Sequence, residues 1–205
     1  MILYLLLIPL LSVISPVEGS VMTTIITIQA KASLPVEDKT SQAIKGLASR
    51  SSGTRSRAQK KLLEIAKEST SSRGLVIRKL IEILEKPGTE YDTWYVAADL
   101  LGELKSTEAL ETLIKNLDRN NGNIGLSSSH YPALRAVVKI GQPAVSKLTT
   151  ALFTSSPSVR GMAAWALGMI GGNEAKDALE RALKTEKDEE VIGSIRAALS
   201  NNQWK

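Results

Sequence analysis

Shifted by 66 residues, the chain matches itself. Ala97, Ala98, Leu101 and Gly102 fall on Ala163, Ala164, Leu167 and Gly168, and the same shift carries Glu108, Ala109, Leu113 and Leu117 onto Glu174, Ala175, Leu179 and Leu183. That distance is two periods of about 33 residues, the length of a helix pair in a repeat array, so a further copy is expected midway. It is there. Ala133, Ala136, Ile140 and Gly141 match Ala163, Ala166, Ile170 and Gly171, and one residue out of step Ala144, Leu148 and Leu152 match Ala175, Leu179 and Leu183. Each unit reads as two short helices. The first is closed by a glycine-containing turn, at Gly102, at Gly141, or at Gly171 and Gly172, where a residue without Cβ takes the left-handed geometry that ends a helix. The second carries apolar residues at i, i+4 and i+8, which makes one buried stripe. No helix pair can bury its faces alone, so stacking has to build the core. The fold expected is all-α, an α-solenoid of four to five helix pairs.

Weaker copies flank these three. Residues 54–86 read as a degenerate first unit with Ala58, Leu62, Ile65 and Ala66 inward, followed by an apolar stretch from 75 to 84 and a break at Pro87 and Gly88. Residues 190–200 repeat a first helix, with Val191, Ala198 and Leu199 on Val159, Ala166 and Leu167, and then stop as a terminal cap does. Residues 2–11 form a continuous apolar run followed by Ser15, Pro16, Val17, Glu18 and Gly19. A short apolar run before small residues is the pattern of a secretory signal peptide, and it falls short of the ~20 residues of a bilayer span. Cleavage is expected after Gly19, with a later site at Ala30 as the alternative. The division is therefore a signal peptide at 1–19, a leader with a capping helix (39–49) at 20–53, the repeat domain at 54–200 and a tail at 201–205.

The string from Val159 through Arg160, Gly161, Met162, Ala163, Ala164, Trp165, Ala166, Leu167, Gly168, Met169 and Ile170 to Gly171 resembles the HEAT-like repeats of the phycobilisome-lyase type. The resemblance covers about residues 54–200. It implies an α-solenoid with first helices on the convex side and second helices lining the concave side. Two departures stand out. The Val-Arg pair that opens the family's first helix becomes Thr93-Trp94 in the second unit and Val191-Ile192 in the last, and the stretch 119–130 is longer than an inter-repeat loop needs.

Composition removes most chemistry. There is no Cys and one His, His130, so thiolate and histidine-built metal centres have no material. HEAT-fold deoxyhypusine hydroxylases hold iron with repeated His-Glu pairs, and one histidine cannot supply them. HEAT-fold alkylpurine DNA glycosylases use aromatic and acidic residues, of which Trp94, Trp165 and Asp99 are a faint echo. No spacing locates a bilin site. No Gly-x-Ser-x-Gly elbow, phosphate loop or dinucleotide fingerprint occurs, and the serines before His130 read as a capping loop. No enzyme activity, cofactor or metal is expected.

Binding is the remaining class. Residues 39–86 hold 12 Lys and Arg against 4 Asp and Glu, whereas 87–205 hold 13 against 14. That asymmetry suits an acidic or anionic surface near the N-terminal end, with Arg57, Lys60 and Lys61 as a basic rim. Tyr91, Trp94 and Tyr95 form an aromatic patch that fits either an interface or the core. On the second helices, Leu110 and Ile114 are apolar where the equivalent Lys176 and Glu180 are polar. With Glu111, Lys115 and Lys147 they make the expected contact site for a partner, unless the pair is extra core. The reading is an exported (periplasmic or secreted), non-enzymatic repeat scaffold that binds another macromolecule, a protein rather than nucleic acid, through its concave face. The alternative is a cytoplasmic repeat module that binds nucleic acid or works as a lyase or glycosylase.

Overall fold

The computed structural model describes residues 35–120 and 130–200. The chain divides into two units, 1–39 and 40–205. Of the first, only 35–39 are described. The signal peptide, residues 20–34 of the leader, the middle of the 119–130 stretch and the tail lie outside the described residues.

The described residues are helical, with no strand among them. They form α1 (Val36–Leu47), α2 (Ser52–Glu68), α3 (Thr70–Glu85) and α4 (Tyr91–Glu103). A 3-10 turn (Thr107–Ala109) leads into α5 (Leu110–Lys115), then α6 (Pro132–Ile140), and a second 3-10 turn (Gln142–Ala144) leads into α7 (Val145–Thr154). The last three are α8 (Pro157–Ile170), α9 (Asn173–Thr185) and α10 (Glu189–Ser200). Within the second unit the first helices α2, α4, α6, α8 and α10 touch in sequence, and so do the second helices α3, α5, α7 and α9. Two layers of stacked helices with the core between them are the arrangement that the repeat implies. The capping helix starts earlier than 39, and the first repeat helix starts at Ser52 rather than at Thr54.

Local chemistry sets the helix ends. Ser51, Ser69 and Ser156 accept hydrogen bonds from the amides of Thr54, Ser72 and Val159, which satisfies first-turn donors that have no partner within the helix. Gly141, Gly171 and Gly172 take the positive φ that the turn reading expects, +80°, +73° and +88°. With ψ of −140°, −166° and 160°, however, their backbone is extended and not left-handed helical, and Gly172 caps the start of α9. Gly102 does not belong with them. It lies inside α4, and Lys105 takes the left-handed φ of +45°. The amide of Ser106 donates to the Leu101 carbonyl and that of Lys105 to Gly102, so the lysine closes the motif in which glycine is the usual residue.

Gly102 has another task. A Cβ there would lie 2.7 Å from the Ala136 Cα, and one on the repeat-equivalent Gly168 would lie 3.0 Å from the Ala198 Cα. The two glycines let α4 meet α6, and α8 meet α10, backbone to backbone.

The stripes are core. Ala109, Leu113 and Leu117, Ala144, Leu148 and Leu152, and Ala175 and Leu179 are all buried, as are the four inward residues of α2. Leu183 and Leu199, near the end of the array, are half-buried.

Candidate functional site

The second-helix layer is where a partner site was expected, and its two apolar anchors are corrected by the structure. Leu110 is 2% exposed and Ile114 is 7% exposed. The reason is neighbours. α5 is packed by α3, α6, α7 and α8, whereas α9 is the last second helix and meets α7, α8 and α10. Positions that stay wet at the end of the array are covered in its middle. The rest of the expected set stays at the surface: Glu111, Lys115 and Lys147 are exposed, and Lys176 and Glu180 face solvent 3.9 Å apart.

One large apolar side chain is exposed among the described residues: Phe153, at 46%. It is also the chain's one phenylalanine. On α7 it shares the solvent face with Ser146 and Thr150, at i+7 and i+3 spacing, which is the same side of a helix. The sequence carried the signal. The repeat-equivalent of Phe153, one residue past the stripe, is Lys184. The surface around Phe153 is thus an uncharged strip on α7 with Lys147 beside it.

The aromatic patch separates into two roles. Trp94 is fully buried; its Nε1 donates to the Leu84 carbonyl at 3.2 Å, and the Arg119 guanidinium lies 4.6 Å over its ring. It is core and not part of an open patch. Tyr91 and Tyr95 are half-buried with ring centroids 6.2 Å apart. Tyr91 donates to the His130 carbonyl at 3.0 Å, and its partial burial raises its pKa above the ordinary tyrosine value. Tyr95 is hydrogen-bonded by Arg135, whose guanidinium carbon lies 5.5 Å from the ring centroid.

Two charged assemblies escaped the sequence reading. On the first-helix layer, Asp99 accepts from Arg135 and Lys139, each at 2.9 Å, and Lys139 also reaches Glu103 at 2.6 Å. These four tie α4 to α6. Of the three residues in the glycosylase echo, Asp99 is tied into this network, Trp94 is in the core and Trp165 is half-buried. The second assembly joins Arg160 to Glu186 through two hydrogen bonds of 2.7 and 2.8 Å, with both side chains largely buried. Hydrogen bonding from Arg160, helped by the amides of Lys187 and Asp188, holds the Glu186 pKa down at about 2. At a shift of 66 residues Arg160 corresponds to Trp94, so the charge clasp of one unit is a Trp–Arg stack in the other.

Arg57, Lys60 and Lys61 are exposed on α2, as the basic-rim reading requires, with Lys61 3.3 Å from Glu64. Beside them a groove of about 290 Å³ runs between α2 and α4, lined by Ser52, Arg55, Ser56, Gln59, Asp92, Tyr95 and Val96. Among the described residues, no three His, Asp or Glu side chains are grouped to hold a metal. No helix among them is long and apolar enough to cross a membrane.

The class of the chain follows from its repeats. Residues 131–200 match the family model for HEAT repeats, and residues 95–119 match the PBS lyase HEAT-like repeat. The chain carries HEAT-like repeats. Among individual proteins, it is 51% identical over 43 residues to the epoxyqueuosine reductase of Bacillus cereus, and 51% identical over 41 residues to that of Listeria monocytogenes. The matches cover 21% and 20% of this chain, and 11% of each reductase, so they compare a repeat segment and not an enzyme. Among solved structures, an engineered protein aligns over 81% of this chain and 78% of its own at 23% identity and a TM-score of 0.40. A designed armadillo repeat protein aligns over 78% and 80% at 22% and 0.34, and human deoxyhypusine hydroxylase in complex with glycerol over 80% and 96% at 17% and 0.29. Superpositions this loose carry no argument about this chain.

Proposed function

We propose that this protein is an exported, non-enzymatic HEAT-like repeat scaffold that binds another protein through the solvent face of its second helices. The observation that carries the reading is Phe153. Large apolar side chains in the described residues are otherwise buried or half-buried, while this one stands open on α7. An aromatic anchor amid small polar residues and dispersed charge is the composition of an interaction hot spot. Glu111, Lys115, Lys147, Lys176 and Glu180 on the same layer supply a polar rim that selects among partners. Export rests on the apolar run at 2–11 and the small residues after it.

A photo-crosslinking residue placed at position 153, and another at Arg196 on the first-helix layer, tests the binding face. A discrete crosslinked species from position 153 and none from position 196 is expected. Equal crosslinking from both positions, or none from 153, refutes the reading. Export is tested separately by N-terminal sequencing of the product. A mature chain beginning near Ser20 supports it, and Met1 on a soluble cytoplasmic product ends it.

A further inference from the structure

We infer that the N-terminal half of α2 is a second, electrostatic contact surface that takes anionic lipid headgroups. The partner site proposed above lies on the other helix layer, and this surface is independent of it.

From residue 39 to residue 63 the chain has seven basic residues (Lys39, Lys45, Arg50, Arg55, Arg57, Lys60 and Lys61) and no Asp or Glu. The structure gathers four of them into the first ten residues of α2, whose first turn holds no acidic residue. That arrangement opposes the helix dipole, which favours acids at an N-terminus. It therefore adds the positive end of the helix to a positive patch instead of offsetting it. Arg57, Lys60 and Lys61 are exposed. Arg57 donates only to Gly53 and Thr54 of its own helix, and among the described residues neither it nor Lys60 has a carboxylate within ion-pair distance. The acids of α2, Glu64 and Glu68, fall in its C-terminal half.

The chemistry of the face selects its occupant. A protein partner needs a pocket or an apolar anchor. Here the adjacent groove is walled by Asp92 on the α4 side, which repels an acidic side chain, and no large apolar residue is exposed. A single-stranded nucleic acid needs aromatic platforms; α2 carries none, and the one aromatic lining the groove, Tyr95, is half-buried with the Arg135 guanidinium over its ring. A bilayer surface needs neither. It asks for several mobile cations within a Debye length of a diffuse negative charge, and this face supplies them.

Flotation of the full chain with phosphatidylcholine vesicles, and with vesicles containing 40% phosphatidylglycerol, tests the inference at low and at high salt. Any apolar contribution from residues 2–11 is common to both vesicles, so the difference reads charge. Binding that is stronger on the anionic vesicles and falls with salt is expected. Arg57→Gln with Lys60→Gln and Lys61→Gln should weaken it about fivefold per residue, roughly 100-fold in all. Arg181→Gln with Lys184→Gln, exposed on α9 in the other layer, should change it little. Equal binding to both vesicle types, or equal losses from the two variants, overturns the inference. So does a DNA duplex that displaces the protein from the vesicles at matched charge, which moves the face to nucleic acid. Crosslinking at position 153 is untouched by any of these outcomes, so the two readings fail separately.

Discussion

Gly102→Ala puts the helix contact between α4 and α6 under direct test. The added Cβ would sit 2.7 Å from the Ala136 Cα, 3.1 Å from its Cβ and 3.3 Å from its carbonyl oxygen. Carbon atoms in contact settle at about 3.5–4.0 Å, so α6 has to retreat by roughly 1 Å, and the obstacle is backbone that no rotamer change can move. Overpacking of this kind costs about 1–3 kcal/mol. A backbone collision belongs at the upper end of that range, and the better helix propensity of alanine returns about 1 kcal/mol. The net loss is about 2 kcal/mol. Gly74→Ala supplies the contrast, because nothing lies within 4 Å of its added Cβ inside α3. There only the propensity gain operates, about 1 kcal/mol. For a chain of this size 1 kcal/mol moves Tm by about 2–4 °C, so the two variants should melt roughly 6–12 °C apart on opposite sides of wild type. Urea unfolding followed by helical circular dichroism measures both. Shifts of the same sign would refute the claim that Gly102 exists for close approach.

Three further outcomes follow from the geometry. Lys105→Gly should stabilise the fold by about 1 kcal/mol, since the left-handed backbone at φ +45° costs a side-chain-bearing residue about that much; an unchanged or lower urea midpoint counts against it. Glu186 has a folded-state pKa of about 2, below its ordinary 4.5, so its stabilising contribution is whole above about pH 4.5 and is lost as pH falls through 2. Glu186→Gln should therefore be less stable than wild type at neutral pH and converge with it in acid, and a gap that is constant from pH 7 to pH 2 would show the clasp to be idle. Leu110→Lys with Ile114→Glu, which copies the fourth unit into the second, should cost about 4 kcal/mol or more by burying charge; a wild-type melting curve would return both residues to the surface.

The repeat made the fold readable, because its signal is local and iterated. Each stripe is a run of i, i+4, i+8 positions, and burial of Leu113, Leu148 and Leu179 follows from that spacing alone. What the spacing does not contain is the position of a unit in the array. Leu110 and Lys176 share a register, but one helix is covered on both flanks and the other ends the stack. Judging Leu110 by its terminal counterpart left two readings open, an exposed anchor or extra core, and burial makes it core. The ion-pair network was hidden for a different reason. Asp99 lies 36 residues from Arg135 and 40 from Lys139, and a search for identities between units passes over residues that complement one another across them. Lys105 was missed because a glycine stood nearby at 102 and fitted the same explanation.

The positions that differ between units at matched register separate structure from function. At the Trp94 and Arg160 register, the second unit seats a buried indole beneath Arg119 and the fourth pairs an arginine with Glu186. The chemistry changes, yet both solutions fasten a first helix to the segment that follows the second, so that variation is structural. At the Leu110 and Lys176 register the change follows burial and is structural too. At the Phe153 and Lys184 register both positions are solvent-facing, so neither packing nor an array end accounts for an aromatic ring in the third unit. Exposing it lowers solubility and adds nothing to the core. Of these three registers, only the one at Phe153 and Lys184 is left unexplained by packing, and this is why the proposed function places its partner contact on the solvent face of α7.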